Sequence, residues 1–310
     1  MPEIHFAPIQ GFTDLTYRNT YYQAIGSVDY YYTPYFSVED RLLIDTAKFA
    51  NGLFDRTIPQ ILSASLNELK PLVQFVTESR FLSVNINLGC PYPMVTRRGR
   101  GAALIGNPEL VAGMIRYIED NSDLKISMKT RLGLMDHEEI FKLLEKVCLT
   151  NVSSVIIHPR TAKQLYKGTA SVEMFQRCKQ LFPSLDLIYN GDITSFEYYR
   201  ELHELFPDLD KWMLGRGLLL NPLLAWQIKN NGAELSGESK KALSDFVSQL
   251  IQDIETDSND RGHALNRLKS QFFYLSSIYN DSHKVGKFVR KSRSVEEVKN
   301  FLRLTCTFDF

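Results

Sequence analysis

The chain has 310 residues, of which 44% are hydrophobic and 23% charged, and its 36 Lys and Arg balance its 36 Asp and Glu. A chain of this length and composition can bury a large core, as soluble globular proteins do. The net charge of zero excludes a global field that attracts nucleic acid, so a polyanion site would have to arise from local clustering.

The N-terminus and the cysteines indicate the compartment. The segment MPEIHFAPIQ lacks the basic and apolar regions of a signal peptide, and no stretch of the chain reaches the roughly 18 apolar residues of a membrane helix. The four cysteines stand at positions 90, 148, 178 and 306, without CxxC or other zinc-type spacing. We therefore expect a cytoplasmic protein with reduced thiols and no metal site.

Short β-type runs alternate with segments whose apolar residues have helical spacing. This alternation predicts a parallel sheet, and eight units in roughly 225 residues predict a (β/α)8 barrel followed by a helical domain. A doubly wound open sheet is the alternative, because a strand count cannot prove closure. The eight predicted strands are Ile4–Ile9, Asp29–Phe36, Thr57–Leu62, Ser83–Gly89, Lys125–Thr130, Ser154–Pro159, Asp186–Asp192 and Lys211–Gly217.

The alternation stops at the polar segment 230–239, after which only helical patterns follow. We expect a barrel domain over residues 1–236 and a small all-helical domain over residues 237–310. Residues 262–310 carry nine Lys or Arg against four acidic residues, whereas residues 238–260 carry two Lys against six acidic residues. A basic face for RNA could therefore exist on a neutral protein, although such charge runs are more often solvated helix faces.

Polar residues follow nearly every predicted strand, where a barrel places its catalytic groups. Each alone could be a packing or turn residue, since a single cysteine after a strand usually packs. Together they indicate a site, because burying so many polar groups without partners costs free energy. The ends of the predicted strands hold Pro8, Gln10, Gln60, Asn87, Cys90, Lys129, Arg131, His158, Arg160, Asn190, Asp192 and Gly215–Gly217.

Two glycine motifs follow the last two predicted strands. NGDI spans residues 190–193 and GRG spans residues 215–217, at the place where such barrels often bind phosphate. Glycine lets backbone N–H groups approach an anion, and Arg216 can add a charge-assisted hydrogen bond. Either motif alone would often be an ordinary turn.

Several segments, in chain order, resemble the motifs of the tRNA-dihydrouridine synthases, most closely those of the DusC subgroup. They are APIQGFTD, NINLGCP with GRGAAL, MKTRLG, HPRT with a later Tyr and Gly, NGDI and GRGLLLNP. This match covers about residues 4 to 225, and RLKSQFFY and KFVR resemble the tRNA-contacting helices of that subgroup. The resemblance implies an FMN-dependent barrel enzyme that reduces the C5–C6 bond of D-loop uridines in tRNA, with position 16 favoured. It also implies that NADPH reduces the flavin and leaves before tRNA enters.

Carried over by motif, the resemblance assigns roles to individual residues. The target nucleotide would contact Asn87 and Tyr166. The tRNA would contact Arg267, Lys269, Tyr274 and Arg290 in the helical domain. The residues implied to hold FMN are Pro8, Ile9, Gln10, Gln60, Lys129, His158, Asn190, Gly191, Asp192, Gly215 and Arg216.

Cys90 could donate the proton that reduction of uracil requires. A flavin supplies the hydride, and a thiol of pKa about 8.5 is mostly protonated at neutral pH. A nucleophilic cysteine would instead need an activating base. An amide such as Asn87 could hold a uracil edge, and Lys129 could stabilise an anionic flavin ring.

The loop after Cys90 departs from the family pattern at Tyr92-Pro93-Met94, and Ile9-Gln10 and Pro159 are also atypical. We interpret Arg97–Gly101 as a mobile basic lid over RNA, with an ordinary turn as the alternative. Two other functions remain open: a flavin enzyme acting on a small pyrimidine, and an RNA-binding module without catalysis.

Overall fold

The computed structural model describes residues 1–40 and 43–305, so Cys306 and the other residues after 305 in the predicted helical domain lie outside it. The described part contains nine strands, and their order in the sheet is β3-β2-β1-β9-β8-β7-β6-β5-β4. The strands are β1 Glu3–Phe6, β2 Tyr30–Tyr32, β3 Thr57–Ile58, β4 Gln60–Ile61, β5 Ser83–Leu88, β6 Lys125–Gly133, β7 Ser154–Thr161, β8 Leu187–Tyr189 and β9 Lys211–Leu214.

The sheet closes at the third predicted strand. The strand order begins with β3 and ends with β4, and along the chain these two are separated only by Pro59. β3 pairs in parallel with β2, β4 pairs in parallel with β5, and Phe36 forms a parallel bridge with Ile61. Proline donates no ladder hydrogen bond, which explains why one predicted strand becomes two. The predicted barrel is confirmed, with this strand divided at its seam.

The helices that follow the strands are amphipathic. In α5, for example, Ile140, Leu143, Leu144 and Val147 are buried at the spacing that faces a sheet. The helices are α1 Leu15–Ala24, α2 Leu66–Glu78, α3 Pro93–Thr96, α4 Pro108–Asn121, α5 Glu139–Val147, α6 Val172–Leu181, α7 Phe196–Leu205, α8 Arg216–Leu220, α9 Leu224–Lys229, α10 Gly237–Asp257, α11 Arg261–Leu275, α12 Ser282–Lys291 and α13 Val295–Thr305. The short 3₁₀ helices are Thr46–Lys48, Phe54–Arg56, Gly101–Gly106 and Ser276–Ile278.

The chain divides into two compact units. The first comprises residues 1–29, 193–210 and 214–310, and the second comprises residues 30–192 and 211–213. In the first unit α10 packs against α1, where the Phe246 ring meets Tyr17 and Tyr21 edge-on at centroid distances of 5.6 and 5.8 Å. The domain boundary predicted at residues 236/237 stays a prediction.

Among the described helices, none is both long enough and apolar enough to cross a bilayer.

Candidate functional site

Most of the predicted site residues lie in the second unit, at or just beyond the carboxyl ends of β4 to β8. The parallel register sets Asn87 beside Lys129 on β5 and β6, and Arg131 beside His158 on β6 and β7. Parallel strands present their carboxyl ends on one rim of a barrel, which is why residues distant in sequence share one site. The members of this group are Gln60, Asn87, Cys90, Lys129, Arg131, His158, Arg160, Tyr166, Asn190, Gly191 and Asp192.

A chain of buried amides leads across β4 and β5. Gln60 Nε2 donates to Asn85 Oδ1, and Asn87 Nδ2 donates to Gln60 Oε1, both at 2.7 Å. Asn87 Oδ1 accepts the backbone N–H groups of Gly89 at 3.0 Å and Cys90 at 2.9 Å. Both lone pairs of this oxygen are used, so Asn87 can offer a ligand only its second N–H. Asn87 could therefore hold a uracil edge only as a hydrogen-bond donor.

Cys90 is buried, with 9% of its surface exposed, in an apolar cluster with Leu62 and Val95, against which Tyr35 packs. Burial raises the pKa of its thiol, while the Tyr92 N–H, Arg131 and a hydrogen bond with the Tyr35 hydroxyl act in the opposite direction. The thiol is therefore neutral at physiological pH. A neutral thiol can donate a proton but is a poor nucleophile or metal ligand.

The loop after Cys90 folds back so that Gly101 packs against Cys90. Gly101 has φ of +61°, and a Cβ on Gly101 would lie 2.7 Å from the carbonyl oxygen of Cys90, so both the conformation and the close approach require glycine. Arg100 is buried and paired with Glu39 and Glu68. The interpretation of residues 97–101 as a mobile basic lid is wrong for Arg100, because its charge is neutralised by these two carboxylates.

Lys129 and His158 are two basic groups with lowered pKa values. Burial, reinforced by the charge of Arg131, lowers the pKa of Lys129 to about 7. Burial, followed by repulsion from Arg131 and Lys129, lowers the pKa of His158 well below its usual value. His158 Nδ1–H donates to the carbonyl oxygen of Asn190 at 2.5 Å, which leaves Nε2 as the acceptor nitrogen of a neutral ring.

The buried Arg131 lies next to the exposed ring of Tyr166. Arg131 Nε donates to the carbonyl oxygen of Gly89 at 3.0 Å, and its Nη1 donates to those of Thr161 and Leu165, both at 2.9 Å. Its guanidinium carbon lies 5.7 Å from the centroid of the Tyr166 ring. That ring is 47% exposed and also meets His158 edge-on at 6.3 Å. An exposed aromatic ring is suited to stacking on a flat base.

Asp192 and Arg160 form a buried ion pair. Arg160 Nη1 and Nη2 donate to Asp192 Oδ1 and Oδ2 at 2.8 and 2.5 Å, and Nη2 also donates to the carbonyl oxygen of Gly168 at 2.6 Å. Asp192 adopts φ of +42°, which is unusual for a residue with a side chain. Its carboxylate, which the resemblance assigned to FMN, is engaged by Arg160. The sequence offered Arg160 only as a polar residue after a strand, with no sign of its partner.

The remaining predicted cofactor residues lie in the first unit, around β1 and α8. Ile9 N–H donates to Thr13 Oγ1 at 2.9 Å, while the Gln10 side chain is exposed. A Cβ on Gly215 would lie 3.5 Å from Ala7 and 3.7 Å from Ile9, so Gly215 stands beside the Pro8–Gln10 segment. Asn190 and Gly191 belong to the second unit, where Asn190 Nδ2 donates to the carbonyl oxygen of Met213 at 2.8 Å. Arg216 is half-buried at the start of α8.

The four residues predicted to contact tRNA differ in their surroundings. Arg267 forms ion pairs with Asp14 at 2.8 Å and Asp257 at 3.0 Å, so its charge is already paired within the first unit. Tyr274 is half-buried and meets Phe12 edge-on at 5.1 Å. Lys269 is half-buried and Arg290 is exposed. The prediction for Arg267 thus meets a competing internal partner, whereas Arg290 is accessible.

Known proteins resemble this chain over nearly its whole length. The family model described as dihydrouridine synthase (Dus) matches residues 5–307. A tRNA-dihydrouridine(16) synthase of Aquipseudomonas alcaligenes is 26% identical, covering 98% of this chain and 99% of that protein. A probable tRNA-dihydrouridine synthase 2 of Bacillus subtilis (strain 168) is 28% identical, covering 97% of this chain and 93% of that protein.

Solved structures support the barrel. The crystal structure titled TcOYE with pHBA has a TM-score of 0.54 at 10% identity, covering 76% of this chain and 91% of that one. At that identity the likeness concerns the fold alone. The family-model match extends from β1 to the last described helix and includes both the thiol site and the C-terminal helices. The chain belongs to the dihydrouridine synthase family and is an oxidoreductase of that family.

Proposed function

We propose that this protein reduces specific uridines in the D-loop of tRNA to 5,6-dihydrouridine, with FMN as its flavin and NADPH as the reductant. The observation that carries the proposal is the Cys90 thiol. It is neutral and shielded, and the network that fixes its backbone places it on the same barrel rim as Lys129, Arg131 and Tyr166. An acid, a cation and an exposed ring on one rim are suited to protonating and holding a pyrimidine while a cofactor reduces it.

The residues fit a flavin. Lys129 is a half-buried cation that pairs with no carboxylate among residues 1–40 and 43–305, and burial lowers its pKa to about 7. Such a site favours a ligand that brings negative charge, which a reduced flavin ring does near N1 and O2. The buried amides of Gln60 and Asn190 can fix a planar ring by its polar edge. When bound, the flavin supplies the hydride to C6 of uracil.

The protein supplies orientation and the proton. The Cys90 S–H bond breaks as its proton goes to C5 of the base, and the thiolate that remains is stabilised by the Tyr92 N–H, Arg131 and the Tyr35 hydroxyl. The remaining N–H of Asn87 can donate to a uracil carbonyl. Tyr166 can cover one face of the base, which must leave its stack in the folded tRNA to reach the thiol.

Helix α12 is the part of the first unit best suited to RNA. Lys284, Lys287, Arg290 and Lys291 are exposed at spacings of three and four residues, so they share one side of the helix. None of the four forms an ion pair with another described residue. On α11 the Phe273 side chain is 74% exposed and could stack on an unpaired base. Unpaired basic charge and an exposed ring support RNA binding at these helices.

Position 16 is the target we propose, because relatives aligned along the whole chain or most of it carry that position in their names. The decisive experiment incubates purified protein, NADPH and unmodified tRNA, and maps dihydrouridine by mass spectrometry at each position. We expect a gain of 2 Da at position 16. A yellow protein that reduces free uracil or orotate but not tRNA would support a small-molecule oxidoreductase instead. A colourless protein that binds tRNA without product would support a non-catalytic module.

A further inference from the structure

The loop that follows Cys90 is fastened at its far end by Arg100. The Arg100 side chain is 6% exposed, and its Nε and Nη2 donate to the two carboxylate oxygens of Glu68 at 2.9 and 3.0 Å. Its Nη1 donates to Glu39 at 2.9 Å. Three charge-assisted hydrogen bonds to two carboxylates hold a guanidinium in one geometry. Glu68 belongs to α2 and also accepts the N–H of Ala64 at 2.8 Å, so the arginine is anchored to a regular element of the barrel.

The anchor lies close to the thiol along the backbone. The N–H of Ala102 donates to the carbonyl oxygen of Cys90 at 3.1 Å, and Gly101 stands between Arg100 and this bond. Because a Cβ on Gly101 would contact that same carbonyl oxygen, the two chain segments are already at closest approach. A displacement of Arg100 would therefore move the Cys90 backbone, because the backbone next to Arg100 is already packed against the Cys90 carbonyl group.

The two preceding arginines lack these features. The Arg98 side chain is 61% exposed and, within the described ranges, forms an ion pair with Glu39 alone, at 2.8 Å. Arg97 is exposed and forms no ion pair within residues 1–40 and 43–305. Exposed ion pairs contribute little, whereas breaking a buried one is costly. The loop thus offers one buried anchor and two matched exposed arginines as controls.

We propose that Arg100 is a positioning residue for Cys90: its bridge between Glu39 and Glu68 holds the loop of residues 91–101 over the thiol and keeps that thiol buried. As far as catalysis is concerned, this inference rests on the proposed function. Its structural part does not, because shielding of the thiol can be measured without tRNA.

The test measures how fast iodoacetamide alkylates Cys90 in the full-length, flavin-loaded protein at pH 8, by mass spectrometry of the digested peptide. Cys148 lies outside the site and is half-buried, so it serves as the reference thiol in the same digest. We expect R100Q to raise the Cys90 rate about tenfold and to leave the Cys148 rate unchanged. R100K should restore much of the shielding, because it keeps the charge while losing the fork geometry. R97Q and R98Q should stay within about twofold of the wild type.

Catalysis supplies the second readout. We expect R100Q to reduce uridine about tenfold more slowly in a single turnover while oxidising NADPH at the wild-type rate. If R100Q does not fold, E39Q, which removes one of the two carboxylate partners, should raise the Cys90 rate about threefold. A folded R100Q or E39Q whose Cys90 is alkylated at the wild-type rate would overturn the proposal. If alkylation rises but the wild type makes no dihydrouridine, the proposed function fails and the role of Arg100 in shielding stands.

Discussion

The Asn87 side-chain oxygen accepts the backbone N–H of Cys90 at 2.9 Å, so the last polar residue of β5 fixes the turn that carries the thiol. The same amide donates to Gln60, and Gln60 donates to Asn85. The strand therefore positions Cys90 through side-chain hydrogen bonds as well as through its backbone pairing in the sheet. A site held by rigid elements keeps its geometry without a ligand.

Replacing Asn87 should separate positioning from cofactor binding. N87A leaves the N–H groups of Gly89 and Cys90 and the Gln60 oxygen without their partner, which should cost about 1–3 kcal/mol of stability. We expect slower uridine reduction in a single turnover with flavin content unchanged. The checks are thermal unfolding, the flavin absorbance per chain and the single-turnover rate. Loss of flavin with a normal rate per bound flavin would contradict this assignment.

The reactivity of Cys90 should depend on pH in a predictable direction. Burial raises the pKa of its thiol above the ordinary value, and the hydrogen bond with Tyr35 partly offsets this rise. Alkylation of Cys90 should therefore reach half its maximal rate at a higher pH than alkylation of a cysteine in a short unstructured peptide. In Y35F the midpoint should move higher still, because the thiolate loses a hydrogen-bond donor. A wild-type midpoint below that of the cysteine peptide would argue for a nucleophilic cysteine.

Lys129 should make the flavin-free protein less stable. Its pKa is about 7 in the folded chain, whereas an unfolded chain restores a value near 10.5, so the unfolded state binds more protons between these pH values. Lys129 therefore lowers the free energy of unfolding at every pH below its unfolded pKa. The loss is complete below pH 7 and becomes smaller as the pH rises from 7 towards 10.5. K129M should raise the unfolding temperature of the flavin-free protein at pH 7 and weaken flavin binding. Equal unfolding temperatures at pH 7 would contradict the lowered pKa.

The ion pair of Arg160 and Asp192 should contribute more to stability than a more exposed pair in the same unit. Its side chains are 2% and 25% exposed, against 27% and 38% for Lys211 and Asp186. We expect D192A to cost about 3 kcal/mol and D186A less than about 1 kcal/mol. Urea unfolding of the two variants checks the comparison. Equal losses would contradict the larger contribution expected of the Arg160–Asp192 pair.

The basic side of α12 should govern the salt dependence of tRNA binding. Reversing Lys284 and Lys287 to Glu removes unpaired positive charge that no described carboxylate neutralises. We expect weaker binding and a slope of log K against log salt that is shallower by about 1 to 2. The matched control reverses Lys240 and Lys241, which are exposed on the acidic helix α10. Equal effects from both pairs would point to a response to net charge alone.

The sequence predicted the barrel because periodicity and strand-end chemistry are local signals. Asn87, Cys90, Lys129 and His158 could be named as site residues, since each follows or ends a recognisable strand. The partners could not be named. Arg160 meets Asp192 32 residues away, and Arg100 meets Glu39 61 residues away. Such pairings depend on which loops the closed barrel brings together, and residue type alone does not show this.

The same limit applies to the surroundings of the arginines in the predicted basic segments. A basic run such as RRGRG has the same composition whether its charges are solvated or buried. Arg100 is anchored by Glu39 and Glu68, and Arg267 by Asp14 and Asp257, so each arginine is already neutralised inside the protein. Charge counting along a sequence treats all these arginines alike. The three-dimensional surroundings of each side chain distinguish an arginine that is paired inside the protein from one that can bind a phosphate.

The uneven charge of the C-terminal helices also affects how the protein behaves in the laboratory. Its isoelectric point is about 7.0, so a net-charge argument predicts little retention on a cation exchanger at neutral pH. Yet α12 presents four lysine or arginine side chains on one side, while α10 carries an excess of acids. Immobilised heparin, a flexible polyanion, can engage the basic side alone. The protein should therefore bind heparin and elute with salt, and it should orient itself in the field of any polyanion before contact.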